Sequence, residues 1–206
     1  ANRGLTHEQI AAGGLLTRPD LFMSNQMLTG VIEGHIIMDA NLQLYKKKYQ
    51  LGKKEQLLIY AGRYMIIRCP QYVKGHHILI GKNQFNQDET NYLKRSTDKL
   101  LHEKLWNKYH IYTDSEAELT QLLTPEWLAW MEKLGNFYKC DLRVSWNQDI
   151  LNIGINPMKV KKQFHELTDH DYRACEFDCE HLKKLFELYH TKAAEHSGAS
   201  NMHEMA

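Results

Sequence analysis

The sequence predicts an α+β domain: a mostly antiparallel sheet with short helices packed on it and a C-terminal helix. Short β-type runs broken by glycine and Asp/Asn dominate residues 27–80. In the second half, strand and helix signals mix without a regular βαβ alternation, so mostly antiparallel pairing is expected. No internal repeat and no linker divides the 206 residues, a length suited to one domain.

Thr6-His7-Glu8-Gln9 reads as a capping box, opening a short helix that Gly13-Gly14 should close. Pro19-Asp20 then turns the chain toward strands. Leu28–Ile32, His35–Met38 and Leu42–Tyr45 are expected as separate short strands. Lys46-Lys47-Lys48 and Lys53-Lys54 flank Gly52, the pattern of a solvated hairpin end. Leu57–Arg68 reads as a long strand with a bulge or turn at Gly62-Arg63, ended by Pro70. A further strand is expected at His77–Ile80, and residues 88–101 are helix-compatible.

Tyr109–Tyr112 predicts a strand, and Asp114 the N-cap of a short helix carrying Leu119, Leu122 and Leu123. Thr124-Pro125-Glu126 combines a capping hydroxyl, a proline at the first helical position and an acid facing the helix dipole. Gly135 is expected to close that helix. Two alternating runs around Asn147-Gln148-Asp149 predict a hairpin. Asp178 should cap a last helix whose stripe is Leu182, Leu185, Phe186 and Tyr189. The domain organisation is then an N-terminal helix and lead-in over 1–26, one α+β domain over 27–195, and a flexible tail over 196–206.

Composition narrows the functional classes. The chain is 43% hydrophobic and 25% charged, the balance of a globular protein with a true core. Its formal net charge is +1, from 26 basic and 25 acidic side chains. General nucleic-acid binding needs a basic excess and is disfavoured. Four cysteines are too few for a disulfide framework in a chain this long. No apolar run approaches the ~18 residues of a membrane span, and the first residues lack a secretory core. The expected setting is cytoplasmic, with peripheral contact at the inner membrane through a partner as an option.

The run Tyr109–Ala117, the Leu123-Thr124-Pro125 helix start, and the hairpin Leu142–Trp146 with Ile150–Ile153 together resemble an uncharacterised bacterial family. Its members usually carry two N-terminal membrane helices followed by a soluble α+β domain. Gly30–Ile37 is similar to that family's first strand pair, and Ile59–Ile67 to its glycine-centred strand. The membrane helices have no counterpart here, and Cys69-Pro70 stands where the family usually has a polar run. Membrane attachment is therefore not carried over, and since the family supplies no catalytic or ligand residues, the resemblance implies a fold but no site.

No phosphate-cradling loop, nucleophile elbow or zinc-protease helix pair is present in the sequence. The metal candidates are His165, Asp169, His170, Asp171, Cys175, Cys179 and His181. Cys175 and Cys179 would share a helix face, with His181 or His170 as a third ligand. The bland reading is two cysteines packed as small apolar groups. His76-His77 with His35 and Cys69 is a candidate Cys/His nucleophile set, set against histidines that are merely hydrogen-bonded. Trp127 reads as core and Trp130 as partly exposed, a candidate interface anchor. Tyr45, Lys47 and the neighbouring lysines form a basic, aromatic hairpin end that is either a lipid- or nucleic-acid-facing patch or simply a solvated edge.

The expectation is a non-catalytic accessory or adaptor subunit of a bacterial protein complex, near the inner membrane or in a secretion-type machine. It would bind through the edge of the first-half sheet or the Trp130 face of its helix, with Trp130, Trp127, Tyr45 and Lys47 as binding residues. Its partners would be other protein subunits, and no cofactor is expected. Nucleic acid is an unlikely partner, and a membrane enters only indirectly or through the basic hairpin. The alternative is a small metal-dependent hydrolase using segment 165–181.

Overall fold

The computed structural model describes residues 4–16, 18–50, 53–68, 73–82, 103–140, 142–156, 176–188 and 190. Among the described residues, seven strands form one antiparallel sheet: β1 (Leu21–Ile32), β2 (His35–Gln50), β3 (Lys53–Arg68), β4 (His76–Gly81), β5 (Tyr109–Thr113), β6 (Leu142–Asn147) and β7 (Ile150–Ile155). Their order is β1-β2-β3-β7-β6-β4-β5, so β1 and β5 are the edges. The helices are α1 (His7–Ala12), α2 (Glu103–Lys108), α3 (Glu116–Leu122), α4 (Pro125–Tyr138) and α5 (176–188). The α+β expectation holds.

The three short strands expected between residues 28 and 45 are instead parts of two long ones. Alternation carries the pairing through the breaks: Ala40, Leu42 and Leu44 point to one face, while Ile37 and Asp39 point to the other. Gly62 is not a turn either. It lies mid-strand because the backbone of β7 comes so close that a Cβ there would sit 2.2 Å from the Ile155 carbonyl oxygen. The irregularity falls at Ile59, where the register steps from Leu44↔Tyr60 to Tyr45↔Leu58. A second irregularity, at Gln26 with φ 51°, shifts the β1–β2 register between Asn25 and Leu28.

Each sheet face carries its own core. On one face α3, α4 and α5 cover Met65, Ile67, Leu79, Val144, Trp146 and Ile153 with Trp127, Trp130, Met131, Leu134, Leu185 and Phe186. Trp127 stands edge-on to both Trp130 and Trp146, at ring separations of 5.2 and 5.3 Å. On the other face the N-terminal segment lays Leu5, Ile10, Leu15 and Leu16 over Leu42, Leu44, Tyr60, Tyr64, Ile66 and Ile78. This segment is therefore part of the domain rather than a lead-in, and β1 begins at Leu21, inside the span assigned to it.

The caps explain where the helices stop. The reciprocal Thr6–Gln9 box forms as the sequence requires, and α1 ends at Gly13. The Gly13 carbonyl accepts from Ser145 Oγ at 2.7 Å and meets His76 Nε2 at 3.2 Å, while Ala12 accepts from Asn147 Nδ2. A Cβ on Gly13 would strike the Asn152 amide at 2.5 Å, so glycine is what lets the helix end reach the sheet. Ser115, not Asp114, caps α3. Asp114 instead accepts from the His76 amide, tying β4 to the chain after β5. Gly135 does not end α4, which continues to Tyr138 and closes on Lys139 in the left-handed region. The 142–155 hairpin turns at Gln148-Asp149, with Gln148 at φ 55°.

Gly62 and Gly30 give a contrast in how a glycine is used. Gly62→Ala should destabilise by about 2 kcal/mol or more through overpacking against β7. Gly30, with open space around its Cα, should accept alanine or valine with a change of no more than about 0.5 kcal/mol. Urea denaturation of the two variants checks the difference.

Candidate interaction surface

Two polar clusters and one open surface are the places where chemistry could occur. The first cluster centres on Arg63, whose guanidinium reaches both Asp39 oxygens, Asp178 Oδ2 and the Tyr138 hydroxyl. Tyr138 donates in turn to Asp178 Oδ1 at 2.7 Å. Burial alone would disfavour the charged guanidinium, but the two carboxylates hold its pKa above the ordinary range. The Tyr138 hydroxyl is pushed up, first by burial and then by the neighbouring Asp178. Asp178 was expected to be a helix cap. It is already inside α5, because its carboxylate serves to dock that helix on the sheet.

Next to it, Trp130 and His181 exchange hydrogen bonds. The indole N–H donates to the His181 carbonyl at 2.9 Å, and His181 Nε2–H donates to the Trp130 carbonyl at 3.0 Å. Their rings stack, and Phe177 stacks on the far side of the imidazole. Trp130 is 4% exposed and Trp127 1%, so neither is a surface anchor. Trp130 follows Trp127 by three residues and precedes Leu134 by four, so it stands on the buried stripe of α4, a spacing that the expectation of partial exposure overlooked, and α5 covers it.

The second cluster is His77 between Thr113 and Glu118, with Nδ1 2.7 Å from Thr113 Oγ1 and Nε2 3.1 Å from Glu118 Oε2. Glu118 also accepts from the amides of Lys74 and Gly75. His77 thus meets Glu118 through Nε2 and the Thr113 hydroxyl through Nδ1, and that hydroxyl also donates to the Ser115 carbonyl at 3.0 Å. An acid–histidine–hydroxyl chain has the appearance of a nucleophilic triad. Here the histidine is fully buried and Thr113 nearly so. The chain clamps the segment before β4 to α3.

The expected Cys/His set does not assemble among the described residues. His35 stacks on Phe186 at the helix-covered face, whereas His76 lies on the opposite face against Gly13. Cys69 is outside the described residues. So are His165, Asp169, His170, Asp171 and Cys175 of the metal candidates. Of the remainder, Cys179 is exposed and His181 is engaged by Trp130. No group of three or more His, Cys, Asp or Glu able to hold a metal occurs among the described residues.

The open surface is where the sheet runs past its helices. Every large hydrophobic side chain exposed among the described residues lies on β1, β2 or β3: Leu21, Met23, Leu28, Val31, Ile36, Tyr49, Leu57 and Leu58. Leu28 and Val31 are each 67% exposed and Tyr49 72%. β1 is an edge strand of 12 residues without a charge or a proline. Natural edges are usually blunted by lysine, proline or short length, and β1 has only the Gln26 bulge. Beyond it, Tyr45 and Lys47 lie on the part of β2 that leads to the hairpin end, with Lys47 and Tyr49 exposed. No helix of the described residues is long and apolar enough to cross a membrane. No family model, no curated protein and no solved structure matches the chain.

Two measurements test the account of the clusters. Arg63→Ala leaves Asp39 and Asp178 facing each other without a cation and should cost about 3–5 kcal/mol in chemical denaturation. Burial lowers the pKa of His35, His76, His77 and His181 below 6.5. The unfolded chain therefore binds more protons, and stability is full above about pH 6.5. It should fall as the pH drops from there toward the folded-state pKa values, and a Tm series from pH 8 to about 5 reads that slope.

Proposed function

We propose that the protein is a non-catalytic interaction module of a multiprotein complex, and that its partner is another protein subunit adding an extended strand to β1. The observation that carries this reading is the confinement of exposed apolar side chains to the β1–β3 half of the sheet. An uncharged edge offers a row of backbone donors and acceptors, and Leu28 and Val31 flank it on opposite faces. In strand addition the main chain supplies affinity and alternate side chains supply specificity. Both requirements are met on one element. The polar clusters, the other place to look for function, are consumed in holding helices and loops to the sheet.

The complex is bacterial, on the strength of the family resemblance, with an inner-membrane-associated or secretion-type assembly as its setting. Tyr45 and Lys47 keep a part in binding as the hairpin continuation of the same surface. Of the two binding sites expected, the proposal keeps the edge of the first-half sheet and drops the Trp130 helix face, which is buried.

The test is affinity purification of the tagged chain from its native cell, with a Leu28→Lys/Val31→Lys variant in parallel and metal analysis of both eluates. A stoichiometric protein partner should accompany the wild type and be lost from the variant, whose Tm should stay within about 2 °C because both positions are exposed. A chain eluting without a partner and carrying a bound metal overturns the reading in favour of a hydrolase built on segment 165–181. Retention of the partner by the variant removes β1 as the binding edge.

A further inference from the structure

The β2–β3 hairpin runs out beyond the rest of the sheet. On one side, β1 stops pairing at Leu21↔Tyr45, where Asp20 closes the strand by accepting from the Lys47 amide at 2.8 Å and donating its own amide to Tyr45. On the other side, β7 pairs with β3 only between Arg63 and Arg68. Among the described residues, β3 from Gly62 back to Lys53 pairs only with β2. Tyr60 is still buried in the core and β1 reaches Tyr45, opposite Leu58, so the free arm is residues 53–57 with their partners on β2, about 16 Å at the usual rise.

The projection has an unusual charge. The ten residues 46–55 contain five lysines and one glutamate, a formal +4. The rest of the chain sums to −3. The apolar side chains of the projection are equally exposed: Tyr49 is the most exposed large hydrophobic side chain among the described residues, and Leu57 and Leu58 follow at the base of the same arm. By register Leu58 stands beside Tyr45, and Leu57 beside Lys46 on the opposite face. Cations on long aliphatic stems with interleaved tyrosine and leucine suit an interface that is anionic outside and hydrocarbon beneath.

We infer that the β2–β3 hairpin docks on an anionic lipid surface, with Lys46, Lys47 and Lys48 meeting headgroups and Tyr49 lying at the headgroup level. A nucleic acid is the less suitable polyanion on three counts. The tip contains no arginine, the residue that forks onto phosphates. Leu57 and Leu58 have no role on a phosphate backbone. The net negative remainder of the chain repels a long polyanion, while a bilayer can be touched by the tip alone. The inference shares Lys47 with the proposed protein-binding surface, but the two are tested apart: strand addition through Leu28 and Val31, lipid docking through vesicles and the residues from Lys46 to Tyr49.

The experiment is co-sedimentation of the full chain with phosphatidylcholine vesicles, with and without phosphatidylserine, at low and high salt. Binding should require phosphatidylserine and weaken as salt rises. Each lysine near the surface contributes about fivefold, so a Lys46→Glu/Lys47→Glu/Lys48→Glu variant should bind about a hundredfold more weakly or worse. Tyr49→Ser should lose several-fold with the salt dependence kept. Unchanged thermal unfolding of these surface variants confirms that the loss is local. Absence of wild-type binding to phosphatidylserine vesicles, or full binding by the triple variant, overturns the inference. So does equally tight binding of the wild type to a single-stranded oligonucleotide.

Discussion

Arg63 fixes the relation between the sheet and its last helix with a single side chain. It rises from the middle of β3, forks onto Asp39 of β2, and reaches Tyr138 of α4 and Asp178 of α5. One cation among two carboxylates and a phenol leaves little tolerance for displacement, since each partner satisfies a group that would otherwise be buried without compensation. The aromatic stack of Phe137, Phe177, His181 and Trp130 is laid beside this clamp and is aligned by it. Without α5, Trp130 and His35 would lose their cover. The helix-side core then depends on an ionic arrangement as well as on apolar area.

The two ends of the sheet are built on different principles. From β7 to β5 both faces are covered: every residue of β4 is buried, and β5, β6 and β7 are buried at all but one position each. Toward β1 the cover thins on both sides, and hydrophobic residues reach solvent. The covered half makes a rigid support, and the open half presents strand edges and an arm. On the proposed reading, stability and recognition fall to separate parts of one sheet.

Much of the fold was legible because its signals were local. Thr6 with Gln9, Thr124 with Pro125, and the alternation around Gln148-Asp149 each specify their structure within a few residues. The failures were mostly non-local. Gly62 reads as a turn until β7 is known to press against it. Trp130 stands on the buried stripe of α4, a local spacing that was overlooked, whereas Asp178 reads as a cap until Arg63, 115 residues earlier, is seen to claim it. The candidate surface was half visible. The run of lysines marked the hairpin, but the importance of β1 lies in its being an edge, a property of strand order that no run of residues encodes. The segment 165–175, where the metal reading was placed, lies outside the described residues, so the Cys/His spacing has no structural counterpart to compare with.

The Arg63 clamp also has a meaning in time. As the chain leaves the ribosome, β1, β2 and β3 can pair early through hairpins, and Arg63 can meet Asp39 while most of the protein is still unmade. Its second carboxylate arrives only after 115 more residues. Such separated contacts close slowly, because a long loop must be ordered before they repay it. Until then Trp130 and the aromatic side chains of α4 lie uncovered, the kind of surface that chaperones hold and proteases sample. Arrival of α5 hides that surface and neutralises the clamp in one step, so its docking doubles as a checkpoint on whether the preceding strands and helices have folded.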